Sequence, residues 1–292
     1  MTRTTFKTRS ISILVPVYGN ELNLPTTIPR LLSILDSIPD MSGNLVFVDD
    51  GSKDASYSIL QNAAIADPRI HVLQLSKNFG AHTALLAGCD HIASDCIAII
   101  MADLQDPPEL ILEMIHKWKE GNKIVIAERV QREDTAQSQL FAKIFWWTMR
   151  TFSTYNIPKG GFDFVLFNDD VQKKMSTTYA KNSHFMIHLL TLGYSTISIP
   201  YIRTRRSIGK SKWTFQKKLK LYIDSIFTFT SLPIYIILIS GTLIYCIGFH
   251  PILILMILGI LAMYIWRCFQ NNIKTSRYDI SETINITMRK KI

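Results

Sequence analysis

Leu45-Val46-Phe47-Val48-Asp49-Asp50-Gly51-Ser52 is the stretch that decides the fold. A short apolar run breaking into carboxylates and a glycine reads as a buried strand that ends in a turn. Upstream, residues 11–17 form a similar run, followed by helical spacing over residues 24–35. Downstream the alternation continues, with helices over 54–66, 81–93 and 108–119 and strands over 71–75, 96–101 and 124–127. Continuous apolar strands separated by helices predict an α/β fold whose mostly parallel sheet is covered on both faces. Ligands bind such sheets beyond the carboxyl ends of the strands. Three of these ends are polar: residues 18–21, 49–54 and 103–106.

Beyond residue 127 the pattern loosens. Residues 129–134 read as a charged loop, 137–152 as an aromatic-rich helix, 162–167 as a strand, 183–192 as a helix and 196–202 as a strand. An amphipathic helix over 212–229 follows, with Trp213 and Tyr222 suited to a membrane interface.

The apolar residues, 48% of the 292-residue chain, are unevenly spread: residues 225–266 contain no Asp, Glu, Lys or Arg. That length suits two spanning helices of roughly 20 residues each. Gly248-Phe249-His250-Pro251 supplies the turn between them. The alternative, a buried helix pair of a soluble domain, lacks the polar face such helices carry. Lys210, Lys212, Lys217, Lys218 and Lys220 precede the segment, and Arg267, Lys274 and Arg277 follow it. Basic flanks and an uncharged turn place both flanks in the cytoplasm. The net charge of +9 is explained by anionic headgroups beside this segment, so a nucleic-acid partner is not expected. Cys89, Cys96, Cys246 and Cys268 have no metal-ligand spacing and read as free thiols in a reducing compartment. Residues 1–7 lack the apolar stretch of a signal peptide. The expected organisation is a cytoplasmic catalytic domain over 1–211, a juxtamembrane helix over 212–230, two transmembrane helices over 231–269 and a cytoplasmic tail over 270–292.

Several polar groups are candidates for chemistry. Asp49, Asp50 and Ser52 can hydrogen-bond a nucleobase or ribose; as turn residues they have an equally good local explanation, and Ser52 or Asp54 can cap the next helix. Asp106, with Pro107 and Glu109, fits a helix start, and it also fits a ligand site. Asp103 and Gln105 have no such local role. Two residues apart in extended chain, they would face one side. Their oxygens suit Mg²⁺ or Mn²⁺ bridging a diphosphate. Arg205, Arg206, Lys210 and Lys212 can hold phosphate oxygens or lipid headgroups. Asp163, after Gly160 and Gly161, is a carboxylate available as a base or a positioning group.

Taken in order, these segments resemble the family-2 glycosyltransferases of the dolichyl-phosphate mannose synthase and bacterial polyprenyl-phosphate glycosyltransferase type. The marks are Val15-Pro16-Val17-Tyr18 with Asn20-Glu21, residues 48–54, Leu75-Ser76-Lys77-Asn78-Phe79-Gly80, Ala87-Gly88, residues 102–109, Gly161-Phe162-Asp163-Phe164 and Arg206-Ser207-Ile208-Gly209-Lys210-Ser211-Lys212-Trp213. They extend over about residues 10–270. The resemblance implies a GT-A fold, a divalent metal (Mg²⁺ or Mn²⁺) and inverting transfer from a UDP- or GDP-sugar to undecaprenyl or dolichyl phosphate. It implies that Pro16, Tyr18, Glu21, Asp49, Asp50, Ser52 and Lys77 line the nucleotide-sugar site. Asp103, Gln105 and Asp106 would serve the metal, Asp163 would sit near the acceptor, and Arg206 and Lys212 would hold phosphates. Asp103, Asp163, Arg206 and Lys212 are thus the expected catalytic set, in an integral membrane enzyme (of the inner membrane in a bacterium) with membrane lipids and further copies of itself as the expected partners. Two features depart from the pattern. Met101 stands where many relatives have the first Asp of an Asp-x-Asp pair, and the hairpin has almost no loop. A polysaccharide or diacylglycerol acceptor, and a non-catalytic scaffold, are the competing expectations.

Overall fold

The computed structural model describes residues 8–132, 136–179, 183–204, 215–247, 251–272 and 276–286. Strand–helix alternation is present through the first half: β1 (Arg9–Val17), α1 (Leu24–Asp36), β2 (Met41–Asp49), α2 (Ser56–Ala66), β3 (Ile70–Leu75), α3 (Ala81–His91), β4 (Cys96–Ile99), α4 (Leu110–Lys119) and β5 (Ile124–Arg132). Then follow α5 (Ala136–Phe152), β6 (Phe164–Asn168), α6 (Asp169–Thr178), α7 (Phe185–Thr191), β7 (Thr196–Arg203), α8 (Phe215–Phe229), α9 (Leu232–Ile247), α10 (Pro251–Asn272) and β8 (Ile280–Ile284).

The strands form one sheet in the order β7-β5-β6-β4-β1-β2-β3-β8. Pairings β4–β1, β1–β2, β2–β3 and β5–β7 are parallel. β6 runs antiparallel between β4 and β5. Apolar residues on both faces drive this layering: α1, α2 and α4 bury Leu31, Leu60 and Ile111 on one face. On the other, α3, α6 and α7 bury Leu85, Val171 and Phe185. This is the α/β sheet expected of a GT-A fold.

One reading needed correction, and two elements were not foreseen. The charged loop over 129–134 is the continuation of β5 as far as Arg132, paired with β7 through an irregularity between Arg129 and Gln131. α6 was not foreseen, although Asn168 caps it by accepting the Val171 N–H and Asp169 and Asp170 occupy its first turn. The tail does not run free: β8 pairs antiparallel with β3 and closes the sheet edge, with Tyr278 donating to Asp90 and Arg277 to the Ser176 carbonyl.

α10 holds a 20-residue segment, Pro251–Gln270, long and apolar enough to cross a membrane, with none of it buried in the protein. α9, with 16 residues, measures about 24 Å, short of a hydrocarbon core of about 30 Å. It meets α8 at an 81° bend. The turn residues 248–250 lie outside the described residues.

Candidate active site

The polar ends of β1, β2 and β3 are knotted together by short-range hydrogen bonding. The Gly19 N–H donates to Ser52 Oγ at 3.0 Å, and the Asn20 N–H to Ser56 Oγ at 2.8 Å. Glu21 Oε2 accepts from the Ala55 N–H at 3.0 Å. Asp50 reaches across to the β3 end, where its carboxylate accepts the N–H groups of Phe79 at 2.7 Å and Gly80 at 2.9 Å. Asp49 is fully buried; burial raises its pKa, partly offset by hydrogen bonding from Ser52. Gly51 makes this closeness possible: its φ is +67°, and an added Cβ would lie 2.6 Å from the Lys77 carbonyl carbon. Pro16 is buried at the end of β1, in register with Val48. Tyr18 is half-buried and Lys77 exposed, its ammonium 5.3 Å from the Phe79 ring centre. The sequence-derived nucleotide residues therefore do meet at one edge, and Asp50 braces the loops that hold them.

The β4 end differs from the extended chain expected. Leu104 has φ +47°, so residues 103–105 turn, and Asp103 Oδ1 accepts the Gln105 N–H at 3.4 Å. Gln105 is pinned to the end of β7: its Nε2 donates to the Thr204 carbonyl at 3.2 Å, and its Oε1 accepts from Arg203 at 3.1 Å. Its own carbonyl accepts from the N–H and hydroxyl of Thr204. Asp106 does not cap α4, whose N-cap position is Glu109. It is fully buried, accepts the Tyr201 hydroxyl, and lies 3.3 Å from Arg203 Nε and 4.0 Å from Arg129 Nε. Asp103 is half-buried.

Antiparallel β6 explains why Asp163 joins this group. Its preceding residues emerge at the same end as the carboxyl ends of β4 and β5, with Phe164 opposite Ala127. Asp163 is ion-paired with Arg129, whose side chain is 2% exposed, and Arg129 also donates to Tyr201. Burial by itself would raise the Asp163 carboxyl, but Arg129 and then Arg203 reverse this and hold it well below the usual carboxylate range. Gly161 (φ +66°) allows Trp146 of α5 to lie against this loop; an added Cβ would meet the indole at 2.0 Å.

Sequence reasoning missed Arg129, Tyr201 and Arg203, because their partners lie 23 to 98 residues away. It also missed His82 and His184, whose rings are 4.3 Å apart beside Asp163. Burial lowers the pKa of His82 to about 4 and holds that of His184 well below its ordinary value. Arg206 and Lys212 lie outside the described residues. No group of three or more His, Cys, Asp or Glu is placed to hold a metal among the described residues.

Comparison with known proteins now adds to the geometry. Residues 12–164, just over half of the chain, match the model of Glycosyl transferase family 2. The chain is 38% identical over 239 residues to the uncharacterized glycosyltransferase YkcC of Bacillus subtilis, covering 82% of this chain and 74% of that protein. It is 32% identical to the bactoprenol glucosyl transferase of Shigella phage SfX, covering 82% and 78%. To the undecaprenyl-phosphate 4-deoxy-4-formamido-L-arabinose transferase of Photorhabdus laumondii it is 29% identical, covering 88% and 79%.

Proposed function

The chain belongs to glycosyl transferase family 2 and is a glycosyltransferase, and from that premise we propose that it moves a sugar from a nucleotide-sugar to a polyprenyl phosphate at the cytoplasmic face of a membrane. The observation that carries the acceptor class is a connection. Thr204, at the end of the active-site strand β7, is bonded to Gln105, and from it the chain runs through the basic segment 205–214 into α8 and the apolar helices α9 and α10. A lipid acceptor and a water-soluble donor can meet only at such a junction. Relatives named as acting on bactoprenol or undecaprenyl phosphate favour the same class.

In this reading α9 and α10 enter the membrane as a hairpin. Both flanks return to the catalytic unit, since α8 packs on α5 through Tyr222 and Thr148 and β8 pairs with β3. Arg267 at the end of α10 is ion-paired with Asp224 of α8, which ties the outgoing and returning segments together. α9 is short, and local thinning of the bilayer accommodates it.

The donor nucleotide lies along Tyr18, Glu21, Gly51, Ser52 and Lys77, in a site whose loops are braced before binding by the buried Asp49 and Asp50. A divalent cation fits Asp103: Mg²⁺ commonly takes one or two carboxylates, substrate phosphates and water, so three protein carboxylates are not needed. Gln105 would join it by exchanging Arg203 for the cation, whereas Asp106 is committed to Tyr201 and Arg203. Such a cation supplies charge stabilisation for the departing diphosphate. The acceptor phosphate, with a second pKa of about 6, is largely dianionic near neutral pH and needs no base. A carboxylate held well below its usual range is a poor proton acceptor, so Asp163 orients the acceptor rather than deprotonating it. Arg206 and Lys212 screen the repulsion between two anionic substrates.

Acceptor competition tests the assignment. The purified protein is offered undecaprenyl phosphate, dolichyl phosphate, diacylglycerol and a soluble glycan with each UDP- and GDP-sugar. A mild-acid-labile lipid product from a polyprenyl phosphate is expected. A product on diacylglycerol or glycan alone would replace the proposed acceptor.

A further inference from the structure

β8 reaches the donor site from behind. It is the strand that returns from the apolar helices, and it lies on β3 with Glu282 opposite Gln74. Gln74 in turn lies opposite Asp49 of β2. Three polar side chains thus stand abreast at one end of the sheet face where Phe47, Val72 and Ile284 pack. Burial of a carboxylate such as Asp49 there costs free energy unless it is hydrogen-bonded.

The contacts lead from the tail to the donor loops. The Ser281 hydroxyl lies 3.1 Å from Gln74 Oε1 and 3.2 Å from the Gln74 carbonyl, and donates to one or the other. An amide whose oxygen is engaged this way has its N–H end left for a carboxylate. Gln74 is among the groups that lower the pKa of Asp49 against the effect of its burial. Asp49 Oδ2 accepts the Ser52 N–H at 3.2 Å, and Ser52 Oγ accepts the Gly19 N–H. A second line passes through α2. The Tyr57 hydroxyl is held above its usual pKa by burial first and then by Glu282. Its neighbour Ser56 accepts the Asn20 N–H. Asn285 fastens the far end of β8, its Nδ2 donating to the Ala64 carbonyl of α2 at 2.8 Å and to the Ile70 carbonyl of β3 at 3.0 Å.

We propose that Gln74 is a positioning residue of the donor site and that Ser281 of β8 sets its amide. Ser281 orients Gln74, Gln74 steadies Asp49, and Asp49 holds the Ser52 turn in the shape that receives the nucleotide. The proposal rests on the donor-site assignment above and adds a condition to it: the site has its binding shape only when the chain returning from α10 is docked on β3. Donor affinity is thereby tied to the membrane segment. Gln74 and Ser281 act on the loop and not on the reacting atoms, so their effect falls on donor binding and not on the transfer step.

The full chain, purified in detergent, is compared as wild type, Gln74→Met, Ser281→Ala and Ser281→Thr. Affinities for UDP and GDP with Mg²⁺ are measured by titration calorimetry, and KM and kcat are measured for whichever nucleotide-sugar the wild type uses. Gln74→Met is expected to raise the nucleotide Kd and the donor KM about fivefold, the scale of one hydrogen bond's net worth, with kcat unchanged. Ser281→Ala should move both constants the same way, and Ser281→Thr, which keeps the hydroxyl, should restore them. A contact that only stabilised the fold would lower the melting temperature without this split. Unchanged Kd and KM in Gln74→Met and Ser281→Ala, or a fall in kcat alone, would overturn the proposal and leave the donor site independent of β8. Should Gln74→Met fail to fold, the exposed Ser281 carries the test by itself. A wild type that binds neither UDP nor GDP would instead overturn the donor-site assignment.

Discussion

Arg129 and Asp163 form an ion pair in which the cation is almost fully enclosed and the carboxylate keeps a third of its side chain exposed. The pair thus has one face locked into protein and one turned to solvent. Arg129 also lies near Asp106, so a single guanidinium serves carboxylates from two loops.

Arg129→Met is therefore expected to leave Asp163 without its ion-pair partner and Asp106 with Arg203 as its remaining cation. Breaking a buried pair from one side costs about 3–5 kcal/mol. The melting temperature should drop sharply in detergent, and loss of transfer should accompany it. An unchanged melting temperature would show that Tyr201 and Arg203 suffice to hold Asp106 and Asp163.

Asp163→Asn separates orientation from proton transfer. Transfer should fall while its pH dependence between pH 6 and 9 keeps its shape, because the acceptor loses no proton to Asp163. A lost basic limb in the profile would restore the general-base role.

Acid stability should follow the buried histidines. His82 and His188 have pKa values lowered to about 4 by burial, and burial also holds His184 well below its ordinary value. The unfolded chain takes up these protons near pH 6.5 and the folded chain does not. Stability is then complete above that value and lost progressively as pH falls from about 6.5 toward 4. The depressed Asp163 pKa acts only at more acid pH, below the unfolded carboxylate value of about 3.9. Melting temperatures from pH 7.5 to 5 check this, and His184→Phe should flatten the slope. A flat wild-type curve would contradict the burial of these rings.

Gly161→Ala should perturb the site without removing a polar group. Its positive φ costs on the order of 1–3 kcal/mol with a side chain present, and the new methyl would overlap Trp146. Reduced transfer and altered tryptophan emission are expected together. Normal activity would mean that α5 can withdraw from the Asp163 loop at little cost.

Deleting residues 276–292 should expose the β3 edge that β8 covers and uncover apolar surface now packed under Tyr278, Ile280 and Ile286. Aggregation or a lower melting temperature is expected in size-exclusion and thermal assays. A stable monodisperse truncation would reduce β8 to an accessory strand.

What the sequence could announce was whatever rested on local pattern. β1 to β4 are apolar on both faces, and their polar ends, residues 18–21, 49–54 and 103–106, mark the edge of the candidate site. Asp103 and Asp163 were legible as carboxylates at strand ends. Arg129 was not, because a charged residue in a charged stretch reads as loop unless its distant partners are known. β8 was hidden similarly: Ile280-Ser281-Glu282-Thr283-Ile284 has strand character, but only β3, some 200 residues earlier, supplies an edge to pair with. α6 had an overlooked signal in Asn168-Asp169-Asp170. The Asp103–Gln105 turn depends on the positive φ of Leu104, which a leucine does not advertise.

The most direct test of the central claim is mass spectrometry of the lipid fraction after purified protein meets undecaprenyl phosphate and the panel of nucleotide-sugars. Wild type and Asp103→Ala are run with Mg²⁺ and with EDTA. The account predicts a hexosyl-phosphoryl lipid from wild type with Mg²⁺, abolished by EDTA and by Asp103→Ala. A correctly folded wild type that yields no glycosylated lipid from any donor, or one whose product is indifferent to Asp103, would contradict it.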